Sequence, residues 1–207
     1  MAFSGWSSRD IGVFEVPDFH ERMALIRSDI TPRITLLARD LEPFLGRSPF
    51  PFYAHVARHL RRRINPPDET WVAFSRDKRA YKRYAHLVTG IGIDGAFVRL
   101  VVKADGVDIA NLKQMPSQHQ QIDKAKAIMH TEAAESGYKI DWYDGLVGAP
   151  LVTSDIESAW AAAEQDFVLG RFFSVAETSD GPAFIRKVAD TFDALMTFYQ
   201  LSAGLMK

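Results

Sequence analysis

The amino-acid sequence predicts an α+β fold in which a mainly antiparallel sheet is flanked by helices. Apolar residues recur at helical spacing near both ends of the chain, and short runs rich in β-branched and aromatic residues lie between them. One Asp-Gly pair joins two of these runs, as in a β-hairpin. Because hairpin strands pair antiparallel and each helix must bury its apolar face on another layer, helices packed on an antiparallel sheet are expected.

The first helical pattern begins at Pro17 or Asp18 and ends between Pro43 and Gly46. Proline has no amide hydrogen and displaces its predecessor from helical geometry, so Pro32 predicts either two helices or one kinked helix. The apolar residues of this pattern lie three or four positions apart over about seven turns. They are Phe19, Met23, Ile26, Ile30, Ile34, Leu37, Leu41 and Phe44.

A second helix is expected over residues 52–63, where it would be stopped by the turn signal Asn65-Pro66-Pro67. At 100° per residue its two sides differ in chemistry. The apolar side would consist of Tyr53, Val56, Ala57, Leu60 and Ile64, and the polar side of His55, Arg58, His59 and Arg62.

Strands are expected after this helix. Residues 70–74 are typical of a short central strand buried on both faces. Residues 86–93 and 96–103 form the predicted hairpin, with Asp94-Gly95 as its type I′ turn. Counting outward from that turn pairs Ile93 with Ala96, Ile91 with Val98, Thr89 with Leu100 and Leu87 with Val102, as the core face. The opposite face would carry a shallow trough, because Gly92 and Gly90 would lie across from Phe97 and Arg99.

The remaining elements complete the α+β pattern. Helices are expected over residues 122–135 and 155–164, and strands over 139–143 and 167–175. The chain would end in a helix whose apolar residues are Phe184, Val188, Phe192, Leu195 and Tyr199. Without a repeat or a linker, residues 1–207 are interpreted as a single domain, with residues 104–138 as the expected peripheral insertion.

Composition excludes several function classes. The chain has 207 residues, of which 47% are hydrophobic and 25% charged, and a formal net charge of −1. It has no cysteine, which excludes disulfides, thiolate metal sites and cysteine nucleophiles. No stretch approaches the length of about 20 apolar residues that a membrane span needs, and the first residues do not resemble a signal peptide. We therefore expect a cytoplasmic protein without membrane partners.

Charge is concentrated in one part of the sequence. Residues 55–86 contain nine Lys or Arg and three Asp or Glu, whereas the rest of the chain contains sixteen basic and twenty-three acidic residues. A cationic segment in an otherwise acidic chain indicates a site for an anion. Guanidinium groups match phosphate and carboxylate oxygens, and a neighbouring histidine can donate a hydrogen bond or move a proton.

We therefore predict a site for a small anionic ligand bearing a phosphate or a carboxylate. Its candidate residues are His55, Arg58, His59 and Arg62 on the predicted helix, together with Asn65, Arg79, Lys82 and His86. No cofactor is predicted, and the sequence does not indicate an oligomeric state.

Other interpretations of the same residues stay open. A cationic helix face is most often merely solvated. A transferase or ligase could use His55 or His59 as an acid or base on an anionic substrate, although no nucleophile is evident. Adjacent arginines disfavour a metal site at His55 and His59. Aromatic residues among the cations, such as Tyr81 and Tyr84, are also found in nucleic-acid binders, but they match that pattern weakly.

A 28-residue string carries a resemblance to a known family. Residues 55–82, HVARHLRRRINPPDETWVAFSRDKRAYK, resemble the signature of the YktB-like family, uncharacterised bacterial proteins whose members contain HVAKHxRRxxNPPxDTWVAF followed by N-K-R-G-Y-K. Asp10, Val13-Phe14, Arg22-Met23, Pro32-Arg33 and residues 167–171 are also similar. The resemblance implies a sheet flanked by helices, with a topology of the biotin-ligase and class II synthetase type; it implies no activity.

Two positions depart from the family pattern. Ala80 replaces a glycine and Ala85 replaces a proline, both near the candidate site. The positions that match the pattern are His55, Arg58, His59, Arg61, Arg62, Asn65, Pro66, Pro67, Trp71, Lys78, Arg79, Tyr81, Lys82 and His86.

Overall fold

The computed structural model describes residues 1–60, 62–114, 141–144, 150–151 and 166–205. Its helices are α1 (Ser8–Gly12), α2 (Phe19–Leu25), α3 (Thr31–Leu45), α4 (Ile109–Gln114), α5 (Val175–Thr178) and α6 (Gly181–Ser202). Its strands are β1 (Tyr53–Val56), β2 (Glu69–Ser75), β3 (His86–Gly92), β4 (Gly95–Val102), β5 (Asp141–Asp144), β6 (Pro150–Leu151) and β7 (Phe167–Phe173).

The strands form one sheet in the order β1-β2-β3-β4-β7-β5-β6, and the neighbouring strands pair antiparallel. Helix α6 packs on β3, β4 and β7, and α3 packs on β1, β2 and α6. Their apolar side chains and one sheet face make the main core. The predicted α+β class and flanked antiparallel sheet are thus confirmed. The finer comparison with biotin ligases and the single-domain organisation of residues 1–207 stay predictions.

The first helical pattern forms one nearly continuous helical segment. It begins where predicted, with the Asp18 side chain accepting a hydrogen bond from the amide of Glu21. The expected interruption at Pro32 takes the form of a π turn over Ile26–Ile30, in which the Thr31 amide donates to the carbonyl of Ile26. A widened turn just before the proline accommodates its missing amide hydrogen. The segment ends at Leu45, with Gly46 as its C-cap.

The helix predicted over residues 52–63 is wrong. Residues Tyr53–Val56 form strand β1, paired with β2 from Tyr53 opposite Ser75 to Val56 opposite Val72. Leu60 and Ile64, which should have been buried, are 70% and 82% exposed. Short apolar patterns fit both structures, and here the backbone groups along the edge of β2 gain a partner only if this segment is extended.

The hairpin is present with a different register. Gly92 lies opposite Gly95 and Ile91 opposite Ala96, so the loop consists of Ile93 and Asp94 rather than Asp94-Gly95. Gly95 has φ of +112°, which glycine adopts without strain. The shift of two positions leaves the paired residues on their predicted faces, because side chains alternate with a period of two. Ile93, predicted to pair with Ala96 on the core face, lies in the loop instead and is 45% exposed. Leu87, Thr89, Ile91, Val98, Leu100 and Val102 are therefore buried on the core side as expected.

The later predictions agree where the structure describes the chain. Strand β7 covers residues 167–173 of the strand expected over 167–175, and the last expected residue, Val175, begins α5 instead. Helix α6 matches the expected C-terminal helix. Strand β5 covers the described part of the strand expected over 139–143. The helices expected over 122–135 and 155–164 lie outside the described residues.

Several charged residues of the family-like segments connect separate elements through ion pairs and hydrogen bonds. Asp10 pairs with Arg33 at 2.5 Å, and Arg22 donates to Pro67 O and to Asp68 Oδ1. Another tie is centred on Asp108, which is 1% exposed. Its Oδ1 accepts from Arg76 Nη2 at 2.7 Å and its Oδ2 accepts from the Ala85 amide at 2.8 Å.

We expect Asp108→Ala to lower the free energy of unfolding by about 2–4 kcal/mol, because it leaves a guanidinium and a buried amide without their acceptor. Asp105→Ala, at an exposed position nearby, is the control and should change stability by less than about 0.5 kcal/mol. Urea unfolding monitored by circular dichroism measures both. Equal stability of the two variants would contradict a structural role for this carboxylate.

Candidate functional site

The sheet face opposite α3 and α6 differs chemically from the core side, and we call it the polar face. A small apolar cluster of Ala73, Val88 and Phe97 lies at its centre, with Trp71 and Tyr81 packed against it. The pairing register places His55, Ala73, Val88 and Arg99 in one row across β1 to β4. Because residues alternate along each strand, the same segments that build the core also supply this second set of side chains.

Tyr81 is the centre of this face. It lies in a 3-10 turn over Tyr81–Arg83, and its ring centroid is 5.1 Å from that of His55 and 5.0 Å from that of His86. Burial raises the pKa of Tyr81, so the phenol stays neutral. These contacts hold the turn, and with it Lys82, against the sheet.

His86 is a buried neutral histidine. It is 3% exposed, and its Nδ1 donates to the carbonyl of Tyr84 at 2.8 Å. Burial lowers the pKa of His86 to about 4, and the positive charges of Lys103 and Lys82 act in the same direction, while the bond to Tyr84 opposes them. Because a carbonyl can only accept, the proton is on Nδ1 and Nε2 keeps its lone pair.

His55 has a structural partner. Its Nε2 donates to the carbonyl of Asp77 at 2.9 Å. The Asp77 carboxylate accepts from the amides of Arg79 and Ala80 at 2.7 and 2.6 Å, and these two bonds lower the pKa of Asp77. His55 therefore fixes the loop that leads from β2 to the 3-10 turn.

His59 is the histidine with the most unusual setting. Its φ of 49° is the left-handed conformation, which a side chain other than glycine adopts with strain. Its Nε2 lies 3.0 Å from Thr70 Oγ1, and its ring meets Trp71 edge-on with centroids 5.3 Å apart. Burial, followed by the charges of Arg62 and Lys82, lowers the pKa of His59 to about 4. His59 is thus a neutral imidazole beside two cations.

Arg62 and Lys82 complete this group, which we call the His59 cluster. The Arg62 amide donates to the carbonyl of His59 at 3.2 Å, so one turn of chain carries both side chains. Both cations are exposed, and within the described part of the chain no carboxylate lies within ion-pair distance of either. The cluster is therefore cationic and open to solvent.

The structure does not bring the other predicted residues into this cluster. The polar helix side expected to carry four of them does not exist, since the segment is a strand followed by irregular chain. His55 and His86 lie against Tyr81 instead. Arg58 is exposed, Asn65 offers its carbonyl to Arg62 Nη1 at 3.4 Å, and Arg79 contributes its amide to Asp77 while its side chain is exposed.

The expected glycine trough is not open. Gly90, not Gly92, lies opposite Phe97, and a Cβ on Gly90 would come 2.8 Å from the Phe97 ring and 2.2 Å from the carbonyl oxygen of Thr70. The Phe97 ring therefore occupies the space that the glycine leaves. The trough contributes close strand packing instead of a ligand cavity.

Sequence reasoning missed two further features of the polar face. Trp71 borders the His59 cluster, and Arg99 lies over the rings of Phe97 and Phe172 and pairs with Glu69 at 3.0 Å. The alternation Glu69, Trp71, Ala73 along β2 was the signal that could have placed Trp71 on this face.

The described residues contain neither a metal-binding group nor a membrane-spanning helix. No group of three or more His, Cys, Asp or Glu side chains there is arranged to hold a metal ion. No helix in the same ranges is both long enough and apolar enough to span a bilayer.

The fold and this face define an α+β protein built on one antiparallel sheet, with a neutral histidine beside two exposed cations at its edge. The family described as "Domain of unknown function (DUF1054)" matches residues 6–199, and the chain belongs to that family. It is 32% identical to a UPF0637 protein of Staphylococcus carnosus, covering 94% of this chain and 97% of the relative. A UPF0637 protein of Listeria monocytogenes is 29% identical over 98% of this chain and 99% of its own. The resemblance to YktB-like bacterial proteins of unknown function is thereby confirmed.

The buried neutral state of His86 predicts an acid-sensitive fold. A histidine whose pKa falls from 6.5 to about 4 on folding stabilises the protein above pH 6.5, and this contribution is lost as pH falls toward 4. Between pH 7 and pH 5 the loss from His86 should be about 2 kcal/mol. His86→Gln should lose less stability over this interval, as measured by urea unfolding at each pH.

The matched control for this measurement is His20→Gln, because His20 is an exposed histidine. Its acid sensitivity should equal that of the unsubstituted protein. If His86→Gln and His20→Gln showed the same loss of stability from pH 7 to pH 5, His86 would not be the buried neutral group that its surroundings indicate.

Proposed function

We propose that this protein binds a small anion, a phosphate- or carboxylate-bearing molecule, at the cluster of His59, Arg62 and Lys82 beside Trp71. The observation that carries the proposal is that two exposed cations, Arg62 and Lys82, both lower the pKa of His59. No carboxylate of the described chain lies close enough to pair with either cation. Each of these cations disfavours a positive charge on His59, and an anion bound beside the imidazole would relieve that repulsion.

The backbone at His59 supports the same proposal. A left-handed histidine costs about 1–3 kcal/mol, and such strain is concentrated at binding and catalytic sites. Here the strained turn presents the imidazole and the Arg62 side chain from neighbouring positions, while Lys82 approaches from the turn that Tyr81 anchors. The ligand would thus be held by two separate segments.

The other predicted residues have supporting roles in this proposal. His55 and His86 hold the Tyr81 ring, and Tyr81 positions the turn that carries Lys82. The Asn65 carbonyl restrains the Arg62 guanidinium. Arg79 lies outside the cluster and would contribute long-range attraction for the anion.

A second candidate function is catalysis by a transferase or ligase that acts on an anionic substrate. It would use the lone pair of the His59 imidazole as the proton acceptor, beside cations that could bind the anionic group of the substrate. His55, the other histidine predicted for this role, has Nε2 bound to the Asp77 carbonyl and is the weaker candidate. Turnover that is lost in His59→Gln while anion binding is retained would favour this function.

Arg62→Gln should weaken binding of inorganic phosphate or sulfate at least about tenfold, because a charge-assisted hydrogen bond is lost. Isothermal titration calorimetry measures the affinity. Arg63→Gln is the matched control, since it removes an exposed arginine one residue away, and it should change the affinity less than about twofold. Both variants should unfold at nearly the same temperature as the original protein.

Three outcomes separate the interpretations. Equal weakening by both substitutions would indicate general charge attraction and would contradict a defined anion site. A large loss of stability in Arg62→Gln would show that the arginine is structural. Affinity for single-stranded nucleic acid that falls steeply with salt and far exceeds the affinity for phosphate would support nucleic-acid binding instead.

A further inference from the structure

Strand β1 is an unpaired edge of the sheet in the described part of the chain. The Ala57 amide donates to the carbonyl of Trp71, which lies opposite it. Because every second residue of an antiparallel strand bonds the same neighbour, Tyr53 and His55 also direct their backbone groups toward β2. The amides and carbonyls of Ala54 and Val56 therefore point away from the sheet. Among the described residues they have no backbone partner, which makes this edge a template for another strand.

An apolar cavity lies at the amino-terminal end of this edge. It has a volume of about 350 Å³ and is lined by Phe50, Phe52 and Leu45, with the exposed carboxylate of Glu42 among its lining residues. A cavity of this composition accepts an apolar side chain that is accompanied by a positive charge.

The segment after the carboxyl-terminal end of the same edge has the complementary character. Leu60 is 70% exposed, and Arg58 beside it is also exposed. No carboxylate occurs in the sequence between Asp40 and Asp68 except Glu42 itself. An exposed leucine flanked by arginine is the group that the cavity at the other end of β1 would accept.

We propose that two copies of this chain associate through antiparallel pairing of their β1 edges, so that Arg58 and Leu60 of each copy meet Glu42 and the apolar cavity of the other. Antiparallel pairing brings the start of one strand beside the end of the other. If Ala54 of one copy pairs with Val56 of the second, the chain that follows Val56 in one copy is brought toward the chain that precedes Tyr53 in the other. A twofold axis repeats each contact, and the sheet continues across the interface.

The arrangement on the edge favours a second copy over an unrelated peptide. The cavity lies before β1, and the segment with Arg58 and Leu60 follows the other end of the same strand. A self-complementary twofold interface requires this order. The His59 cluster faces Trp71 and Lys82 and takes no part in these contacts, so this proposal is independent of anion binding.

Analytical ultracentrifugation of the full chain from about 1 to 100 µM tests the proposal. A dimer is expected, and Ala54→Pro should raise its dissociation constant at least about tenfold, because proline removes an outward-pointing amide but none that bonds β2. Ala54→Ser is the matched control, which keeps the amide and should stay within about twofold. A monomer throughout this range, or a dimer that Ala54→Pro leaves unchanged, would overturn the proposal.

A charge exchange decides the result even if Ala54→Pro fails to fold. Glu42→Arg or Arg58→Glu alone should weaken the dimer about tenfold by placing like charges together, and the double variant should restore it. Additive weakening in the double variant would show that these residues do not meet across an interface.

Discussion

Burial of one sheet face under α3 and α6 is the interaction on which the rest of this structure depends. The apolar side chains that alternate along β2, β3, β4 and β7 face these helices and make the main core. Since alternate residues must point the other way, every strand that contributes to the core also presents side chains on the polar face. That second face is free to carry histidines, aromatic rings and cations, which the core would not tolerate without partners.

The cationic segment divides into residues that hold the fold and residues that face solvent. Arg76 pairs with buried Asp108, while His55 and His86 bond carbonyl groups and pack against the Tyr81 ring. The cations at Arg62 and Lys82 lie at the surface, where their charges add to the effect of burial in lowering the pKa of His59. Among the described cations of this segment only Arg76 has an ion-pair partner. Arg62 and Lys82 are therefore distinguished by their effect on His59, and this effect marks the candidate site.

The sequence predicted elements best where local chemistry and tertiary packing agree. Asp18 caps its helix as expected, and the long C-terminal helix buries the residues that its periodicity indicated. The helix predicted over residues 52–63 was wrong because their apolar spacing fits a helix, whereas the backbone groups at the edge of β2 needed a strand as their partner. The proposed anion site was predicted from residue type, which selected His59, Arg62 and Lys82 together with residues that lie elsewhere. Their true arrangement depends on a left-handed turn that no spacing rule reveals.

The protonation state of His59 tests the central claim most directly, because it reports on both the free cluster and its ligand. Proton NMR of the imidazole, assigned with His59→Gln, can follow its titration without and with sulfate, an anion whose charge is constant over this pH range. We predict a pKa of about 4 without sulfate and a rise of about one pH unit or more when sulfate is bound. A pKa near 6.5, or one that sulfate leaves unchanged, would contradict the account.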